Sequence, residues 1–154
     1  QKDLIIISTK DALLIMPNDK DINIKENVER LSKKNNEKVQ YHPTVYRPWG
    51  SFEVLLTKKN YQVKKLIINS KQKISYQKHK YRSEHWVVVK GKAYITKNNK
   101  VYNLKKNQSI DIPKGAKHRV ENKEKIPLTI IEIQTGDKLL ENDIIRFEDI
   151  YNRN

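Results

Sequence analysis

Apolar residues run through this chain in short bursts, and the rhythm of those bursts changes once, near Tyr46. Before that point, Leu4 to Ile7 and Ala12 to Met16 read as two short strands separated by a turn at Ser8 to Asp11. From Asp19 onward Ile24, Val28 and Leu31 recur at helical spacing, with charged residues filling the other face. This predicts a helix capped by Asn18 or Asp19, ending near KKNNEK (Lys33 to Lys38) and followed by a polar linker that holds His42.

After Tyr46 the runs are rich in Val, Ile and Tyr and are broken by Asn, Lys, Gly and Pro at intervals of roughly eight to twelve residues, the spacing of an all-β sandwich or barrel. Strands are expected near Phe52 to Thr57, Gln62 to Ile68, Lys73 to His79, Glu84 to Val89, Lys92 to Thr96, Lys100 to Leu104, Gln108 to Ile112, Lys117 to Glu121 and Leu128 to Gln134. KNNK at Lys97 to Lys100 suits a hairpin turn, because Asn tolerates positive φ. RPWG at Arg47 to Gly50 reads as an aromatic plug with a Pro-Gly bend, and the tail from Gly136 to Asn154 as a loop with a short terminal helix.

The 154 residues suffice for one domain with a core plus an N-terminal appendage. With no cysteine, disulfides and thiolate metal sites are excluded, so a metal must be held by His, carboxylate or amide oxygen. No apolar run reaches the roughly 18 residues of a membrane span, and no signal-peptide pattern opens the chain; a soluble, cytoplasmic protein is expected. The net charge of +14 comes from 26 Lys and only 6 Arg spread along the chain, without nucleic-acid motifs. Lys, Ile and Asn together make 60 residues, a bias that AT-rich coding explains as well as function does. Nucleic acid and membrane are therefore not expected partners, whereas a small phosphorylated ligand suits the charge.

The chemistry concentrates in QKHKYRSEHWVVVKG (Gln77 to Gly91) and PKGAKHRVEN (Pro113 to Asn122). Gln77 and His79, two apart on a strand, point to one face. Glu84 can re-enter on the next strand after a turn at Tyr81 to Ser83, with Trp86 and Val88 sharing its inward parity and His85 and Val87 pointing out. His118 follows a turn stiffened by Pro113 and released by Gly115. Two imidazoles, a carboxylate and an amide oxygen make a mixed nitrogen and oxygen site suited to zinc or another divalent first-row ion. A single strand His is more commonly structural; four such residues at these spacings, in a chain with four His, outweigh that reading. His42 and His85 fall outside the set, and Tyr61, Tyr76 and Tyr94 read as strand-face packing. Arg82 and Arg146 could each fork onto a phosphate or form a surface salt bridge.

With RPWGSFEVL, QKHKYRSEHWVVVKGKA, IPKGAKHRVENKEKIPLTIIEIQTG and DIIRFEDIYNR, the chain closely resembles the C-terminal cupin domain of bifunctional mannose-1-phosphate guanylyltransferase/mannose-6-phosphate isomerases, from about Val45 to Arg153. The resemblance implies an all-β cupin, a double-stranded β-helix or jelly-roll-like barrel, over residues 45–154. Residues 1–44, with their strand pair, helix and linker, are similar to the tail of that family's nucleotidyltransferase half. The guanylyltransferase signature, a Gly-rich loop followed by an Arg and a Lys-Pro, is absent, so no GTP or GDP-mannose chemistry is expected. Lys71 and Asn107 stand where cupins usually carry turn glycines, and Lys80 and Tyr81 where relatives tend to have further His.

What the resemblance implies is metal-dependent interconversion of mannose 6-phosphate and fructose 6-phosphate, feeding GDP-mannose and polysaccharide synthesis. Gln77, His79, Glu84 and His118 would hold the metal, zinc first with cobalt and manganese as alternatives. Glu84 and Arg146 are the catalytic candidates, and Arg146, with Lys90 and Arg82 behind it, is the candidate for the substrate phosphate; no base is identified. The rival expectation is a non-catalytic cupin remnant or accessory module serving a separately encoded nucleotidyltransferase. A nucleotide-sugar epimerase is a weaker third, for want of an in-barrel His/Asp base pair. Pairing through edge strands into a homodimer is also expected.

Overall fold

The computed structural model describes residues 3–8, 13–18, 23–33 and 44–151, in two compact units that divide between Pro43 and Thr44. In the first unit β1 (Leu4–Ser8) and β2 (Leu13–Pro17) pair antiparallel, from Leu4 opposite Pro17 to Ser8 opposite Leu13. Two strands cannot cover their own side chains, and Leu4, Ile6, Leu13 and Ile15 remain exposed. Helix α1 (Ile24–Lys33) starts later than the expected caps: Asn23 is the cap, its Oδ1 accepting the Glu26 amide at 3.2 Å. Asn18 instead closes the ribbon, donating its N–H to the Asp3 carbonyl. Asp19, most of the expected turn and the linker with His42 lie outside the described residues.

The second unit is all β. One sheet of six strands runs in the order β10-β7-β12-β5-β4-β3, where β3 is Thr44–Arg47, β4 Gly50–Thr57, β5 Tyr61–Ile68, β7 Arg82–Lys90, β10 Ser109–Ile112 and β12 Leu128–Gly136. The other, of five, runs β13-β6-β11-β8-β9, where β6 is Tyr76–Lys78, β8 Lys92–Lys97, β9 Lys100–Lys105, β11 His118–Glu121 and β13 Ile145–Glu148. The period-2 pattern dictates which side chains turn inward: Trp86 and Val88 on β7, Leu128 and Ile130 on β12, Ala93 and Ile95 on β8, and Val120 on β11 join in one core. Each large apolar side chain buried this way contributes about 2 kcal/mol.

Turn chemistry sets the register. Asn98 and Asn99, both at positive φ (45° and 66°), form the two-residue turn expected of KNNK between β8 and β9. Lys71 and Asn107 also adopt left-handed backbone, with φ of 62° and 67°. Asn accepts that conformation readily; Lys71 does not, and its Nζ is tied to the Lys123 carbonyl. Gly50, at φ 144°, is obligatory, since a Cβ there would lie 2.0 Å from the Ile67 carbonyl oxygen.

Two expectations are corrected. The run Ile145–Glu148 is a strand and not part of a terminal helix among the described residues: it completes the edge of the five-stranded sheet against β6, with Arg146 opposite Gln77 and the Phe147 ring 6.1 Å from that of Tyr76. The strand expected over Lys73 to His79 keeps its alternation, Ser75, Gln77 and His79 being buried, but its ladder is reduced to β6 and a single bridge from Lys73 to Glu121. Among the described residues no helix is long and apolar enough to cross a membrane.

Candidate metal centre

His79 follows β6, Glu84 lies on β7 and His118 opens β11, so both sheets contribute. Each is buried, and one potential donor atom from each lies within 4.8 Å of the others. The orientation of both imidazoles is fixed from behind. Nδ1 of His118 bonds the Ala116 carbonyl at 2.9 Å, and Nδ1 of His79 bonds the carbonyl of Asp143. A carbonyl can only accept, so each Nδ1 carries the proton and each Nε2 presents a lone pair inward. The Gly115 amide donates to the His79 carbonyl at 2.9 Å, locking the second motif's turn (Gly115 φ 82°) onto the first ligand.

Between these lone pairs sits the Glu84 carboxylate. Its Oε1 is 3.0 Å from His79 Nε2, and its Oε2 is 3.4 Å from His118 Nε2, which is buried and makes no hydrogen bond. Arg82 donates Nε to Oε1 at 3.0 Å, and Trp86 donates its indole N–H to Oε2 at 3.2 Å. Burial alone would raise the Glu84 carboxyl, and positive charge on the side of His118 and His79 holds it well below the usual carboxylate range, the charge that a cation held between their Nε2 atoms would supply. Inward lone pairs facing a buried carboxylate repel one another unless positive charge lies among them, and the Arg82 guanidinium, with Nη2 3.4 Å from His79 Nε2, meets that need on the His79 side while His118 Nε2 stays without a partner. This nitrogen and oxygen donor set, with an orphaned Nε2, therefore fits a divalent metal.

The site opens into a cavity of about 120 Å³ whose wall includes Gln77, Arg82, Glu84 and Arg146. Gln77, opposite His118 in the ladder, has its side-chain Oε1 occupied by the Ser75 hydroxyl at 2.7 Å. Arg146 reaches the cavity from β13, with Nε 3.9 Å from Asp149. Arg82 is 4% exposed, and all three of its guanidinium nitrogens face inward partners: Nε Glu84, Nη1 the Leu140 carbonyl at 2.9 Å and Nη2 the His79 Nε2 at 3.4 Å. Lys90 is exposed at the far end of β7 and does not line the cavity. His85 faces outward as its parity required, 2.6 Å from Asp111.

The family described as mannose-6-phosphate isomerase C-terminal matches residues 34–149 of this sequence. The chain belongs to that family. The mannose-1-phosphate guanylyltransferase ManC of Salmonella typhimurium is 43% identical over 152 residues, covering 99% of this chain and 32% of that protein. The alginate biosynthesis protein AlgA of Pseudomonas putida is 41% identical over 152 residues, covering 99% of this chain and 31% of that protein. The chain thus spans about a third of the length of these curated relatives. A solved Klebsiella pneumoniae protein with a double-stranded β-helix domain superposes with TM-score 0.57 at 18% identity, covering 69% of this chain and 80% of that one, a likeness of fold. The second unit of this mannose-6-phosphate isomerase C-terminal chain accordingly has the cupin fold, a double-stranded β-helix.

Lys64, Ser75, Glu132, Gln134 and Glu141, polar residues of this family member's cavity, are not among the candidates read from the sequence. Lys64 stands opposite Glu132 in the ladder between β5 and β12, 4% exposed, with Nζ paired to Glu141 and 4.8 Å from the centre of the Phe52 ring. Gln134 donates its amide to Glu132 and lies 3.4 Å from Glu84 Oε1. The signal was there in parity: Lys64 shares its face with Leu66 and Ile68, and Glu132 with Leu128 and Ile130, so each is a charge written at a core position. Asp143, by contrast, comes from a loop whose local sequence carries no such mark.

Proposed function

We propose that this chain is a metal-dependent isomerase interconverting mannose 6-phosphate and fructose 6-phosphate. The observation that carries the reading is the convergence of two preoriented Nε2 lone pairs on a carboxylate that lines a cavity, in a chain of this family. Gln77, His79, Glu84 and His118 would hold the ion, zinc by preference with cobalt or manganese as substitutes, Gln77 exchanging its bond to Ser75 for it. When bound, such a cation supplies Lewis-acid stabilisation of charge developing on the sugar's carbonyl oxygen. Glu84 balances part of the cation's charge, and Arg82 and Trp86 hold that carboxylate in place. Arg146, at the cavity from the edge strand, receives the phosphate, which would draw its guanidinium from Asp149. A flux into GDP-mannose and polysaccharide synthesis would follow from this activity.

A second reading has its own support. The exposed apolar side chains of the β1–β2 ribbon suit a surface covered by a further protein body, as the relatives' much greater length suggests. The chain would then be an accessory module of a nucleotidyltransferase encoded elsewhere. The two readings separate by assay: after chelation, the purified chain is given mannose 6-phosphate with and without zinc, cobalt or manganese. Turnover that requires metal supports the isomerase. A folded chain with no turnover under any metal rejects it and favours the accessory module.

A further inference from the structure

We propose that the carboxylate of Glu132 is the base that carries the proton between C2 and C1 of the sugar, an assignment that rests on the isomerase reading above. Strand β12 turns Leu128, Ile130, Glu132 and Gln134 to the same side; the first two fill the core and the last two line the cavity. A fold that needed only packing at the third position would continue the apolar series, since a buried carboxylate is unfavourable without a compensating role. Glu132 is 5% exposed yet borders the cavity. The Gln134 amide bonds it and also approaches Glu84, so the carboxylate stands one amide away from the candidate metal centre.

The surroundings tune it for reversible proton transfer. Lys64 faces it from β5, Arg82 and Glu84 from β7, and Gln134 bonds it from its own strand, while Glu141 diverts part of the Lys64 charge. In the metal-free chain burial first, then the Glu84 charge, pushes the Glu132 carboxyl up to about 7, with Lys64 and Arg82 pulling the other way; a cation on Glu84 would offset the second push and leave the first, burial. A group poised there both accepts and returns a proton near neutrality. Glu132 takes the C2 hydrogen as a proton, and the C–H electron pair becomes the C1=C2 double bond as O1 gains a proton. Glu132 then returns its proton to C1, O2 loses its own, and the electron pair closes the C2 carbonyl. The hydroxyl proton passes from O2 to O1 through solvent, so nothing is consumed.

The test compares the zinc-loaded full chain with Glu132→Gln and Glu132→Asp, reading kcat, KM, bound zinc and the affinity for mannitol 6-phosphate, which cannot isomerise. Glu132→Gln should lose about a thousandfold in kcat, keeping its zinc and binding mannitol 6-phosphate within about threefold of wild type; Glu132→Asp should keep measurable turnover with a shifted pH profile. Glu132→Gln turnover within about tenfold of wild type overturns the assignment while leaving the isomerase reading intact. No turnover by wild type under any metal overturns both. Should Glu132→Gln fail to fold, Glu132→Asp decides: kcat within about twofold of wild type, although the carboxylate is drawn back by a methylene, overturns the proposal, and a kcat lowered at least about tenfold with KM and bound zinc unchanged supports it.

Discussion

His79 and Asp143, 64 residues apart in sequence, are bound twice over. Nδ1 of His79 bonds the Asp143 carbonyl, and the Asp143 carboxylate receives the amides of Lys80 at 2.9 Å and Tyr81 at 3.0 Å. One residue thus orients a candidate ligand and anchors the turn that leads to the next. Asp143→Ala keeps the carbonyl but frees the turn, which should weaken zinc binding by about tenfold. Competition against a chromophoric chelator measures it; unchanged affinity would mean that the turn holds its shape unaided.

Removing Glu84 should be worse for the fold than removing His118. Glu84→Ala strands the Arg82 guanidinium in a buried site without its carboxylate, a loss of about 3–5 kcal/mol in the metal-free chain. His118→Ala deletes an imidazole whose Nε2 has no hydrogen bond to lose. Both variants should fail to retain zinc. Urea denaturation after chelation, with metal analysis before it, separates the two effects.

The raised Glu132 carboxyl gives stability a slope with the opposite sign to that of a salt-bridged acid. The folded chain holds this proton up to about 7, whereas an unfolded glutamate releases it near 4.5. Its contribution is therefore undiminished below 4.5 and is lost as pH rises from there to about 7, by about 3 kcal/mol in all. Glu132→Gln removes that slope. The metal-stripped variant should match wild type near pH 4.5 and exceed it near pH 8; parallel curves would show that Glu132 does not titrate in this range.

Lys71 is a site for stabilisation. Its left-handed backbone is unfavourable for a side-chain-bearing residue, and the bond from its Nζ to the Lys123 carbonyl is exposed. Lys71→Gly should raise stability by about 0.5–1 kcal/mol despite the entropy glycine adds to the unfolded chain. A lower urea midpoint would show that the tether to Lys123 matters more than the backbone.

The strands and the inward parity of Glu84, Trp86 and Val88 are legible because an alternating pattern is local, and the burial alternation along β7 reproduces it. The turns were legible for the same reason: Asn98 and Asn99 announce their conformation by residue type. The tail was misread because β13 owes its extended form to β6, a partner nearly seventy residues earlier, and no local rule reports that pairing. The α1 cap was misplaced among several Asn and Asp, any of which could serve. Parity also marks Lys64 and Glu132, but a single charge in an alternating run is equally what a solvated strand face shows, and only the pairing of β5 with β12 places the two side chains opposite each other at the cavity.

His79 comes from just beyond β6, Glu84 from β7 and His118 from β11, with Asp143 clamped behind His79 from a distant loop. Nothing short of closure of the whole barrel brings them together, and topologies dominated by such non-local pairing fold slowly, in milliseconds to seconds. No early intermediate can contain a working site. The absorption of a cobalt ion captured there would therefore appear with the last step of folding, making the centre a spectroscopic clock for the molecule that builds it.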